Sequence, residues 1–226
     1  METFKFGEYS CDLVRAASGS AKITYLIYPA VLPLEADWLT RMADVSKGNV
    51  VVVYIPAQLW NDSLTPWPEP GETHDAPPFG GKAPEFLKQL AGTIVPQLEK
   101  NAGLEPVEVR NLIGVSLSGL FTLWQWMQCD LFASIGCMSG SFWFPGFMEW
   151  FDSEKVPAKT GKAFFLLGEE EPKAHIKAFR SVGVNTLAIV DRLKGAGVAT
   201  DFHWVPGNHF SDPLGRAQMA FEALNN

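Results

Sequence analysis

Cysteine is scarce in this chain of 226 residues. Cys11, Cys129 and Cys137 stand far apart and form no Cys-x-x-Cys pair. An odd, scattered set excludes a disulfide framework and offers no zinc-binding spacing. Three buried, reduced thiols are expected, in a cytoplasmic protein with no metal and no cofactor. Basic charge is also short: 18 Lys and Arg stand against 25 Asp and Glu, a formal charge of −7. Nucleic-acid partners need clustered Lys and Arg on phosphates, so none is expected. A polybasic membrane anchor is excluded for the same reason. No apolar run approaches the ~20 residues that span a bilayer. Residues 1–9 mix Phe with charge and contain no signal-peptide core.

What is present is apolar mass. Hydrophobic residues make up 47% and charged residues 19%, which excludes disorder. At about 100–200 residues per domain, residues 1–226 are expected to form one domain, large enough to bury a core without staples.

The dominant rhythm is strand, helix, strand. Residues 3–16 alternate around Gly7 and predict an opening hairpin. Residues 23–28 read as a strand stopped by Pro29. Trp38, Leu39, Met42 and Val45 set a helical stripe within 34–46, and Gly48 is expected to cap it in a left-handed conformation. Residues 49–55, with valine at 50, 51, 52 and 53, are apolar on both faces, as central parallel strands are. Residues 56–82 hold six prolines with Trp60, Trp67 and Phe79, and predict a long loop over a binding site. Residues 83–100 read as a helix bent at Pro96. Residues 108–115 predict a strand and 118–128 a buried helix. Strands are expected at 132–138, 162–167 and 200–205, and a helix at 182–193. Ser211-Asp212-Pro213 is a cap with proline at the first helical position. Alternation of this kind predicts a mostly parallel sheet with helices on both faces.

The sharpest local signal is Gly114-Val115-Ser116-Leu117-Ser118-Gly119, between a predicted strand and a buried helix. A serine on such a turn is held clear of the sheet, with small residues two before and two after so that backbones can pass. Here the last small residue is Ser118. A serine nucleophile needs a base, and the base needs an orienting acid, in the chain order Ser, Asp or Glu, His. Among the later histidines, His203 lies within a predicted strand and His175 opens a polar stretch. His209, in Gly207-Asn208-His209, lies between the last strand and the last helix, where a base belongs. Strand 162–167 runs into Gly168-Glu169-Glu170-Glu171. Glu171 is the favoured acid, with Glu169 and Glu170 as alternatives. An oxyanion hole needs two backbone N–H donors. Leu117 is one candidate and Ala30, or Val31, the other.

These pieces resemble the putative-esterase branch of the α/β-hydrolases, which includes S-formylglutathione hydrolase-like, feruloyl-esterase-like and enterobactin-esterase-like members. The likeness runs from about residue 49 to residue 222. It rests on Phe79-Gly80-Gly81 with Ile94-Val95-Pro96, on 114–120, on Ser139-Gly140-Ser141-Phe142-Trp143, on Gly168 to Glu171, and on Gly207-Asn208-His209. It implies an α/β-hydrolase fold and a serine esterase. Two departures stand out: Ser118 for the usual glycine, and no Asp-Gly after the strand at 23–28.

Ligands of open α/β sheets bind at the carboxyl ends of the strands. Trp60, Trp67, Phe79, Phe142 and Trp143 are therefore expected to wall a cleft for a small-molecule ester. The rival readings are a hydrolase fold that binds without turnover, and a thioesterase or acyl transferase using the same residues.

Overall fold

The computed structural model describes residues 1–17 and 19–225. A hairpin opens the chain: β1 (Glu2–Phe6) pairs antiparallel with β2 (Tyr9–Val14). Then come β3 (Lys22–Pro29), α1 (Ala36–Ser46) and β4 (Asn49–Ile55). The alternation of a strand explains why β4 is apolar throughout. Val51, Val53 and Ile55 point into one core, while Val50, Val52 and Tyr54 point into the other. Gly48 is not the left-handed cap. Lys47 takes that conformation, at φ 48°. Gly48 is small for another reason: a Cβ there would lie 3.1 Å from the Lys22 carbonyl oxygen.

Residues 56–82 are more ordered than their prolines suggest. They form α2 (Ala57–Ser63) and an antiparallel pair of two-residue strands, β5 (Pro68–Glu69) and β6 (Phe79–Gly80). Five of the six prolines flank these elements, and Pro68 is the first residue of β5. Pro56 sits at the N-cap of α2, where a missing N–H costs nothing. The next helix is also not continuous. α3 (Ala83–Gln89) and α4 (Val95–Asn101) are joined by a π-helical turn over Leu90–Ile94. Pro96 cannot donate a backbone hydrogen bond, and the widened turn precedes it, so the first turn of α4 starts in a fresh register.

The second half adds β7 (Val109–Val115), α5 (Leu117–Gln128), β8 (Ser134–Met138), α6 (Phe147–Ser153), β9 (Lys162–Gly168), α7 (Val182–Gly195), β10 (Ala199–Val205) and α8 (Pro213–Asn225). The strands form one eight-stranded sheet in the order β1-β2-β4-β3-β7-β8-β9-β10, parallel from β4 to β10. The core on one face is built with residues of α3, α4, α5, α6 and α7, and that on the other with α1 and α8. This is the α/β-hydrolase arrangement expected from the alternating elements. Strand order reverses at β3, with β4 on one side and β7 on the other, so the crevice above it lies at the strands' carboxyl ends. Among the described residues no helix is long and apolar enough to cross a membrane.

Candidate active site

Ser116 is the single residue between β7 and α5. Its backbone has a positive φ of 58° with ψ −124°, a combination sparsely populated outside glycine. Such a conformation costs a non-glycine residue about 1–3 kcal/mol, and persists only where the surroundings enforce it. Here the Ser116 N–H donates to Met138 O at 3.0 Å, and its carbonyl accepts from Ser141 N–H at 3.0 Å. The neighbouring glycines are steric requirements. A Cβ on Gly114 would meet Ser118 O at 2.2 Å, and one on Gly119 would meet Gly140 Cα at 2.9 Å. Ser118 has a use for its side chain. The buried hydroxyl accepts from Val115 N–H at 2.7 Å and has Ile27 O as an acceptor at 2.9 Å, which ties the elbow to β3.

His209 stands on the β10–α8 loop. Hydrogen bonds within that loop, from Phe210 N–H to Asn208 Oδ1 and from Ser211 N–H to Asn208 O, fix its course. Its Nε2 lies 3.1 Å from Ser116 Oγ and its Nδ1 lies 2.8 Å from Glu171 Oε2. Of the three adjacent glutamates, only Glu171 is buried. Glu169 and Glu170 are exposed, and their backbone N–H groups pin the loop to Val205 O and Gly207 O. Burial opposes ionisation of Glu171. Hydrogen bonds from His209, Ser139 and the Gly168 N–H outweigh it and hold the carboxyl below the usual glutamate range.

Sequence reasoning gave no role to two residues that hold this acid. Ser139, itself left-handed at φ 48°, donates to Glu171 Oε1 at 2.6 Å. Buried Arg216 reaches the same oxygen at 3.3 Å. Ser139 opens the Ser-x-Ser-x-Trp stretch of residues 139–143, which is a signal in the sequence. Arg216 carries no local signal, since an arginine on the first turn of a terminal helix reads as a surface residue.

The oxyanion side needs a correction. Leu117 begins α5, where N–H groups have no acceptor within the helix. Ala30 does not present a free donor: its N–H extends the β3–β4 ladder to Ile55 O at 2.9 Å. Val31 lines a separate groove with Tyr28, Trp38 and Leu214.

A cleft of about 540 Å³ opens over Ser116 and His209. Trp60 and Trp143 line it, and Phe179 packs on Trp143 with ring centroids 4.3 Å apart. The other three expected wall residues face elsewhere. The Trp67 indole N–H donates to Pro145 O at 2.9 Å while its ring packs on Phe144 and Trp150. Phe79 is buried against Trp143 and Phe144. Phe142 is buried between Phe147 and Phe165. These three rings anchor the 56–82 and 141–147 segments rather than meet a ligand. His175 lines the cleft although it opens a polar stretch, and His203 is exposed on β10 beside Phe164. Glu72 and Glu170 are the cleft's other carboxylates, and among the described residues no Lys or Arg lines it.

Known proteins agree with this architecture. The Siderophore hydrolase EstB of Aspergillus nidulans superposes with a TM-score of 0.73 at 19% identity, over 98% of this chain and 93% of that one. An IroE-like serine hydrolase from Shewanella oneidensis superposes with a TM-score of 0.75 at 17% identity, over 96% and 75%. At these identities the likeness is one of fold. In sequence, YbbA of Bacillus subtilis (strain 168), itself an uncharacterized protein, is 27% identical over 156 residues. That match covers 68% of this chain and 62% of YbbA, less than two thirds of the relative's length. The family model described as "Putative esterase" matches residues 31–196, a stretch that contains the Ser116 elbow and the Glu171 loop. With most of the chain matched, the protein belongs to that esterase family.

Proposed function

We propose that this protein is a serine hydrolase that cleaves a carboxylic ester of a small molecule through an acyl-enzyme on Ser116. The unbroken hydrogen-bonded chain Ser116–His209–Glu171, at 3.1 and 2.8 Å, supports this most directly. His209 Nδ1–H donates to ionised Glu171, which leaves Nε2 as the acceptor facing the Ser116 hydroxyl. As Ser116 Oγ attacks the ester carbonyl, its proton passes to Nε2. The imidazolium that forms is stabilised by Glu171 and then protonates the leaving alcohol. The Leu117 N–H at the head of α5 supplies one donor to the developing oxyanion, aided by the positive end of the helix. A water molecule then repeats the sequence and releases the acid.

The cleft describes the substrate in outline. Trp60, Trp143 and Phe179 offer flat apolar faces for an aryl or acyl group. The carboxylates at its wall disfavour an anionic group beside the ester.

A panel of p-nitrophenyl esters of neutral acyl groups tests the reading. Wild-type protein hydrolyses them, whereas Ser116→Ala and His209→Ala lose roughly 10⁴–10⁶ in kcat. His203→Ala stays near wild type. Turnover that survives in Ser116→Ala would overturn the assignment.

A further inference from the structure

Arg216 is 5% exposed, on the first turn of α8. A buried guanidinium is costly unless its donors are used, and here they are divided among the loops that follow β8, β9 and β10. Nη1 lies 3.1 Å from Ser139 Oγ and 3.3 Å from Glu171 Oε1. Nη2 donates to Pro206 O at 3.2 Å and to Asn208 O at 2.9 Å, on either side of Gly207 and immediately before His209. One planar group therefore holds both the acid and the backbone that carries the base.

The division of labour on the carboxylate is clear. Oε1 takes Ser139 Oγ–H at 2.6 Å, Gly168 N–H at 2.7 Å and Arg216. Oε2 is left for His209 Nδ1. Gly168 leaves room for this: a Cβ there would lie 2.8 Å from Arg216 Nη2 and 2.5 Å from Gly207 O. Lysine could not do the same work, because a single ammonium has no fixed fork to bridge a carboxylate and two carbonyls.

Building on the ester-hydrolase reading, we propose that Arg216 is the positioning residue of the site: it clamps the Glu171 loop to the His209 loop and so sets the Glu171–His209 hydrogen bond. It touches neither substrate nor reacting atoms and acts only through those two residues. Its loss misplaces the imidazole, and a misplacement on the order of 1 Å can cost 10²-fold in rate.

The test is a double-mutant cycle on a neutral p-nitrophenyl ester, with fold checked by thermal unfolding. Arg216→Lys is expected to lower kcat by about 10–100-fold and to leave KM within about 3-fold, because binding to the cleft is untouched. In a Glu171→Gln background the same change should cost less than about 2-fold, since the bond it sets is already gone. Arg216→Met with Glu171→Gln removes both charges, avoids an unpaired buried carboxylate, and should match Glu171→Gln alone. Equal losses from Arg216→Lys in both backgrounds would overturn the proposal and leave a purely structural arginine. So would a wild-type kcat in Arg216→Lys. A wild-type protein that hydrolyses no ester would instead overturn the ester-hydrolase reading, and this proposal with it.

Discussion

The two sides of Ser116 are built on different physics. On one side Glu171, Ser139, Arg216 and His209 are joined by directional bonds of 2.6–3.3 Å, and each carboxylate oxygen has assigned donors. On the other side Trp60, Trp143 and Phe179 line the cleft, with the Trp143 and Phe179 rings packed on each other. Directional bonds fix a position to a few tenths of an ångström and fail when one atom changes. Ring contacts gain by area and weaken gradually. Catalysis is therefore expected to respond steeply on the polar side, and binding to respond gently on the aromatic side.

The largest effect expected after loss of Ser116 or His209 comes from Glu171. Glu171→Gln should lower kcat by roughly 10²–10⁴ with little change in KM, because the orienting bond matters most as the imidazolium forms. Steady-state kinetics beside Glu169→Gln and Glu170→Gln, both near wild type, would sharpen the contrast. Next comes Trp143→Ala, which removes a wall without touching the polar chain. It should raise KM about 3–30-fold and change kcat far less, since the lost contact serves substrate and transition state alike. A kcat loss as large as that of Glu171→Gln would break the comparison.

Stability should follow the same division. The Glu171 carboxyl is held below its usual range in the folded protein. Its ionised form then contributes stability that is present above the unfolded value and lost as pH falls through the folded one. The gap in Tm between wild type and Glu171→Gln should therefore shrink on acidification. A gap that widens at acid pH would contradict the sign. Gly114→Ala forces a Cβ against the backbone at Ser118 and should cost about 1–3 kcal/mol, read as a lower Tm. The smallest effect concerns the thiols. Burial pushes Cys11 up to about 12 and Cys137 higher still. Neither should react with a thiol reagent at neutral pH until the protein unfolds.

Legibility in the sequence followed the same physics. β4 could be bounded from its valine run because a central parallel strand is buried on both faces and so reads as a continuous apolar stretch. The elbow, the acid loop and the histidine loop could be placed because each follows a strand, in a fixed order along the chain. Arg216 could not be found, since its partners lie just after β8, on the loop after β9 and on the loop before its own helix. The aromatics misled for the opposite reason. Trp67, Phe79 and Phe142 have the same composition signal as Trp60 and Trp143, and only packing separates an anchor from a wall. Ala30 reads as an oxyanion donor from its place after β3, but the strand ladder continues one residue further and takes its N–H.

Covalent labelling of Ser116 tests the account most directly. A fluorophosphonate reacts only with a serine whose proton can be removed, so it reads the hydrogen-bonded chain before any substrate is known. Mass spectrometry of the labelled protein should show one adduct, mapped to Ser116, that is absent in Ser116→Ala and strongly slowed in Glu171→Gln. No adduct on folded wild-type protein, or an adduct mapped to Ser118 or Ser141, would contradict the account.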